Sequence, residues 1–178
     1  SDVPIVTVVL DRSGSMYGQI EGQGNKMQLT KDLFREFFMQ MPDGTMTQLI
    51  TFEDVQLSQV LTTDKVPMLQ AVSALDSGGG TNILDPAELA YKTLKAVPTS
   101  NRILVFLTDA AMIGEGNTTF TNILTNIKEA NIKSLWLGLG LEYAHEEKNF
   151  AWAAQTSGGS YLLPNSAKEL SDGLNKML

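Results

Sequence analysis

Apolar runs and amphipathic stretches alternate along this chain from end to end. Ile5-Val6-Thr7-Val8-Val9-Leu10 and Ile103-Leu104-Val105-Phe106-Leu107 carry no charge and are rich in β-branched residues. That is the pattern of parallel strands buried on both faces. Strands are predicted over about Pro4–Leu10, Thr45–Phe52, Val55–Leu61, Ile103–Leu107, Ile132–Leu139 and Ser160–Leu163. Between them, helical periodicity predicts helices near Met27–Met41, Val66–Leu75, Asp85–Ala96, Thr119–Ala130, Glu146–Gln155 and Ala167–Leu178. In the first of these, Leu29, Leu33, Phe37 and Met41 recur every four residues and predict one buried stripe.

The punctuation between elements agrees with this reading. Pro42-Asp43-Gly44 ends the first helix, and Glu53-Asp54 makes a connection short enough for an antiparallel hairpin. Pro67 and Pro86 fall in the first turns of their helices, where a missing N–H is harmless. Ser166 is the expected N-cap of the closing helix, with Glu169 as its capping-box partner. Alternating strands and helices over 178 residues predict an α/β fold, a mostly parallel sheet with helices on both faces. The chain reads as one domain, residues 1–178. With Ser1 almost on the first strand and the last helix ending at Leu178, it is expected to be a piece of a longer protein.

Two of the apolar strands end in carboxylates. Asp11-Arg12-Ser13-Gly14-Ser15 follows the first, and Thr108-Asp109 follows the strand at Ile103–Leu107. Ligands of open α/β sheets collect at the carboxyl ends of strands, and adjacent strands lie about 4.8 Å apart. Carboxylates leaving neighbouring strands can therefore share one ion. A third segment, Ser77-Gly78-Gly79-Gly80-Thr81-Asn82, offers a hydroxyl at Thr81 behind glycines that allow close backbone approach. Carboxylates and hydroxyls are the oxygen donors that hard divalent cations take.

Composition narrows the chemistry. The net charge of −7, without any run of Lys or Arg, argues against nucleic acid as partner. The absence of cysteine removes disulfides, thiolate metal sites and thiol catalysis. No apolar stretch reaches the ~18 residues of a membrane span. The reading is of a soluble domain, either cytoplasmic or the exposed part of a surface or secreted protein. A phosphotransfer enzyme with a strand-end Asp nucleophile is the rival class. Against it, Ser13 stands where a second acid would be needed, no glycine loop precedes Lys-Ser or Lys-Thr, and no Gly-x-Ser-x-Gly surrounds either serine. His145, the only histidine, reads as a solvated residue at a helix start. Asn117-Thr118-Thr119 forms a glycosylation sequon, which matters only on a eukaryotic secretory route.

Asp11, Ser13 and Ser15, then Thr81 after its glycines, then Asp109 after Thr108, resemble the von Willebrand factor type A domains that carry a metal-ion-dependent adhesion site. The order of elements resembles that family along essentially the whole chain. The resemblance implies a doubly wound six-stranded sheet in the order 3-2-1-4-5-6, with one antiparallel edge strand. It implies Mg²⁺, with Mn²⁺ or Ca²⁺ as substitutes, at the top of the sheet. Ser13 and Ser15 would bind it directly, Asp11 through water and through the serines, and Thr81 and Asp109 by exchanging between direct and water-mediated contact. A partner protein's Glu or Asp would complete the site, making the domain a non-enzymatic, adhesion-type module. A regulatory subunit coupled to an AAA+ ATPase is the alternative among such relatives, and a Mg²⁺-dependent phosphohydrolase the more distant one. Two features depart from the family pattern or extend it. Ala110 stands where many relatives carry Gly, with Ala111, Met112 and Ile113 expected to pack inward. The segment Met16–Lys26 is long and rich in glycine, and lies on the expected ligand face.

Overall fold

In chain order the elements are β1 (Ile5–Leu10), a single 3-10 turn (Gly14–Tyr17), β2 (Gln19–Ile20), β3 (Gly24–Asn25), α1 (Lys26–Gln40), β4 (Met46–Thr51), α2 (Lys65–Ser73), α3 (Leu84–Ala96), β5 (Arg102–Thr108), α4 (Thr118–Glu129), β6 (Lys133–Gly138), α5 (Ala144–Ser157), β7 (Ser160–Leu162) and α6 (Ala167–Asn175). They come from a computed structural model that describes residues 4–20, 22, 24–51, 62–76, 82–109, 114–139, 144–164 and 167–177.

The five longer-range strands pair in the order β4-β1-β5-β6-β7, each parallel to its neighbours. This is the mostly parallel α/β sheet that the alternation predicts, and for these five strands the order is the one the resemblance implies. The sixth strand, Val55–Leu61, and its Glu53-Asp54 connection lie outside the described residues. Directly after them, Thr62 makes an antiparallel bridge to Thr47 of β4, with N–H···O distances of 2.8 and 3.0 Å.

Each face of the sheet builds its own core. All six residues of β1 are buried. Val6, Val8 and Leu10 join Val105, Leu107, Leu135 and Leu137 beneath α1 and α2. Ile5 and Val9 point the other way, with Leu104, Phe106 and Trp136 beneath α3, α4 and α5. The period-two alternation thus feeds two cores, which is why the apolar runs are continuous rather than alternating. Burying each such side chain contributes roughly 1.5–3 kcal/mol.

Helix α1 corrects the single-stripe expectation. Met27, Thr30, Leu33, Phe34, Phe37 and Phe38 are buried, while Leu29 is only half-buried. The helix rests on the sheet and also touches both α2 and α6, so it needs two adjacent apolar rows. Phe34 and Phe38 lie in the second row and meet Phe37 of the first, with ring centroids 5.8–6.4 Å apart. Another addition is the two-stranded antiparallel ribbon of β2 and β3. Its turn uses Gly22 at φ 75° and Gly24 at φ 88°, left-handed values that favour glycine. The closing helix α6 is shorter than expected, and its expected cap Ser166 lies outside the described residues. Asn117 of the sequon has a local structural use, since its side chain accepts the Phe120 N–H at 3.0 Å and caps α4.

The second core is anchored by Trp136, which is fully buried. Its ring stacks on Phe106 at 5.1 Å and meets Phe120 edge-on at 6.1 Å. Its indole N–H donates to Ser157 Oγ at 2.9 Å, and that hydroxyl also contacts Ser134 Oγ and the Ala153 carbonyl. Ser157→Ala removes the acceptor and leaves a buried indole N–H without it, which costs about 1–3 kcal/mol. Urea unfolding should show a lower midpoint with an unchanged slope.

Candidate metal centre

The site is assembled by the register of two strands. Leu10 of β1 pairs with Leu107 of β5, and the Asp11 N–H continues the ladder to the Leu107 carbonyl at 2.9 Å. Asp11 therefore leaves the sheet abreast of Thr108, one residue before Asp109. It is fully buried. One carboxylate oxygen, Oδ1, accepts the Ser13 N–H at 2.7 Å. The other, Oδ2, accepts the Thr108 hydroxyl at 2.7 Å and the Asp109 N–H at 3.3 Å. Asp11 thus shapes the loop that follows β1 and ties it to the end of β5.

In front of Asp11 runs a chain of oxygens. Ser13 Oγ lies 2.9 Å from Ser15 Oγ, and Ser15 Oγ donates to Asp109 Oδ1 at 2.8 Å. Ser13 is buried whereas Ser15, in the middle of the chain, is exposed. The Asp109 side chain is itself without exposure. Of the five residues the sequence singles out, Asp11, Ser13, Ser15 and Asp109 are brought together. Thr81 lies outside the described residues, with the rest of 77–81, and so does Ala110–Ile113.

Two carboxylates packed this closely require compensation. Burial pushes the Asp11 carboxyl above the ordinary carboxylate range, hydrogen bonds from Ser13 and Thr108 oppose that rise, and the neighbouring charge of Asp109 adds to it. The compensating charge comes from Lys26, the first residue of α1. Its ammonium sits 2.9 Å from Asp109 Oδ2, with only 11% of the side chain exposed. Lys26 was not singled out by the sequence reading. The available signal was a cation directly after Asn25 at a helix start, where the helix dipole disfavours positive charge.

The loop from Ser13 to Asn25 puts Lys26 there. Met16 is buried and pins the 3-10 turn to the core. The Lys26 N–H donates to the Gly18 carbonyl at 2.9 Å. Asn25 accepts the Gln28 N–H as N-cap of α1 and donates its side-chain amide to the Tyr17 carbonyl. On the other side of the motif, Arg12 pairs with Asp76 at 2.7 Å. It thereby holds the last described residue before the glycine segment.

The donor chemistry fits a hard divalent cation. Among the described residues no three His, Cys, Asp or Glu groups come together to hold a metal. Ser13 Oγ, Ser15 Oγ and Asp109 Oδ1 are all oxygen donors within hydrogen-bond reach in sequence, which is the ligand class of Mg²⁺.

The family model for the von Willebrand factor type A domain matches residues 6–112, a span that contains Asp11, Ser13, Ser15, Thr81 and Asp109. The chain belongs to the von Willebrand factor type A family. Solved structures of similar fold include the type A domain from Catenulispora acidiphila, at 18% identity and a TM-score of 0.75, covering 98% of this chain and 41% of that one. The type V pilus tip protein Mfa5 of Porphyromonas gingivalis contributes a von Willebrand factor domain at 11% identity and TM-score 0.74, covering 99% and 94%. The SpRpn10 type A domain is similar at 19% identity and TM-score 0.71, covering 98% and 95%. The chain spans 61% of the PilB minor pilin of Streptococcus sanguinis, at 12% identity, TM-score 0.74 and 99% coverage of this chain. Comparison with curated proteins returns no match. Among the described residues of this type A domain, no helix is long and apolar enough to cross a membrane.

Thr108→Val tests the brace behind the site. It deletes a hydrogen bond to a charged acceptor, a loss of about 1.5–3 kcal/mol. The native pKa of Asp11 lies above its unfolded value, so the native state holds the proton more tightly and Asp11 disfavours folding as pH rises through that window. Removing the Thr108 donor raises the native value further. The stability deficit of Thr108→Val relative to wild type should be larger at pH 7 than at pH 4, measured by chemical denaturation in chelator.

Proposed function

We propose that this domain is a non-enzymatic protein-interaction module. It would bind Mg²⁺, or Mn²⁺ or Ca²⁺ in its place, at the carboxyl edge of the sheet, and through it an acidic residue of a partner protein. The observation that carries this reading is the continuous run of oxygens Ser13 Oγ, Ser15 Oγ and Asp109 Oδ1, braced from behind by Asp11. Ser13, Ser15 and Asp109 would hold the ion, with Asp11 orienting the serines and Thr81 contributing from its loop.

The chemistry of this donor set favours binding. Serine hydroxyls are neutral, so they satisfy coordination while cancelling little of a dication's charge. The ion, when bound, supplies local positive charge on a domain whose net charge is −7, which draws an acidic partner that the rest of the surface repels. In the same turn as Ser15, Tyr17 is 62% exposed, the kind of side chain enriched at protein interfaces. The pilus tip protein and the minor pilin among the similar folds are consistent with an adhesive role on a surface structure.

Catalysis by Asp11 is disfavoured by its surroundings. A phosphoryl-accepting carboxylate needs a free oxygen facing substrate, yet both Asp11 oxygens are engaged and the residue is fully buried.

Isothermal titration of Mg²⁺ and Mn²⁺ into chelator-treated protein tests the ion. Ser13→Ala and Asp109→Ala should each weaken binding by at least about tenfold, on the scale of lost ligands or their supports. Equal affinity in wild type and both variants would overturn the site. Partner capture should be lost in chelator and restored by Mg²⁺.

A further inference from the structure

We propose that Lys26 is a built-in competitor for the cation at this centre, neutralising Asp109 when no divalent ion is bound and lowering the site's affinity for one. This inference rests on the metal-binding reading above and adds to it a control on occupancy.

Three observations converge on Lys26. Its ammonium is 2.9 Å from Asp109 Oδ2 while Asp109 Oδ1 is already engaged by Ser15. The charge that would attract a divalent ion is therefore met by a tethered cation. Lysine side chains ordinarily keep their head in water, but this one is 11% exposed and reaches a carboxylate with no exposure. The third observation is position. Lys26 is the first residue of α1, and the first turn of that helix contains no acidic residue. A cation at a helix N-terminus opposes the dipole and the unpaired N–H groups. Local helix energetics thus work against Lys26, and the Asp109 pair offsets them.

The loop before α1 is shaped to permit the contact. A Cβ on Gly18 would lie 3.5 Å from both Lys26 Cε and Nζ and 3.0 Å from the Ser15 carbonyl. Glycine there relieves crowding against the Ser15 carbonyl, and the lysine stem runs past at ordinary contact distance. An ammonium and a divalent ion have the same sign and seek the same carboxylate. Binding one beside the other at a carboxylate that is itself without exposure is electrostatically unfavourable. Uptake of the divalent ion would therefore require the ammonium to leave Asp109.

The test compares chelator-treated wild type with Lys26→Met, which keeps an unbranched stem without the charge, and with the milder Lys26→Gln. Titrating Mg²⁺ by calorimetry should show affinity about ten- to a hundredfold higher in the variants. In chelator the variants should melt lower than wild type, and Mg²⁺ should raise their melting temperature more. The gain should vanish in Lys26→Met/Asp109→Ala. Binding by Lys26→Met where wild type takes up no ion would support the competitor in its strongest form. Equal or weaker affinity in both variants, with wild type binding normally, would overturn it while leaving the metal site standing. No binding by any of the three would overturn both. Independently of any variant, the ¹⁵N signal of the Lys26 ammonium in wild type should move as Mg²⁺ saturates the site. A signal unchanged at saturation would overturn the displacement.

Discussion

Two carboxylates delivered side by side by neighbouring parallel strands set the terms for everything around them. The β1–β5 register places Asp11 and Asp109 within reach of the same few atoms, in a region where Asp11 has no contact with solvent. Like charges in such surroundings are costly unless hydrogen bonds and a cation meet them. The sheet itself supplies part of the answer through the Thr108 hydroxyl and the N–H groups of Ser13 and Asp109. The loop after β1 supplies the rest, by bringing in two serines and then the ammonium of Lys26.

The two acids are handled differently, and the difference divides their roles. Asp11 is saturated by neutral donors and has no cation of its own among its hydrogen-bond partners. It acts as a brace, fixing the turn that carries Ser13. Asp109 meets one hydroxyl and one ammonium, both on side chains that can rearrange. On the proposed metal-binding reading, exchange of ligands would therefore be concentrated on the Asp109 side, next to the exposed Ser15.

Much of this was legible in the sequence, for identifiable reasons. Strands β1 and β5 are nearly uninterrupted apolar runs, and their ends coincide with Asp11 and Asp109 because a carboxylate cannot continue a two-sided buried strand. The spacing of Ser13 and Ser15 was readable since one short loop carries both. What escaped was set by tertiary context. Phe34 and Phe38 became core residues because α1 packs on two other helices as well as the sheet. The β2–β3 ribbon is too short to show alternation, and only its glycines at positive φ betray the turn. Lys26 escaped because its partner is 83 residues away, a distance no local pattern spans.

The ribbon and the site belong to one construction. Between Ser15 and Lys26 the chain makes a buried anchor at Met16, a 3-10 turn and a tight ribbon, then caps α1 with the neutral Asn25. A direct connection from the metal motif into a helix would leave the first turn free to present its N–H groups to an anion. Here the detour instead puts a cation at that turn and aims it at Asp109. The same segment therefore carries the exposed Tyr17 and positions Lys26 at its end. Asn25 bonds both the Tyr17 carbonyl and the start of α1, so the segment that carries Tyr17 is tied to the turn that carries the ammonium. With an ion bound as proposed, occupancy of the centre and the surface around Tyr17 would be joined through this single short loop.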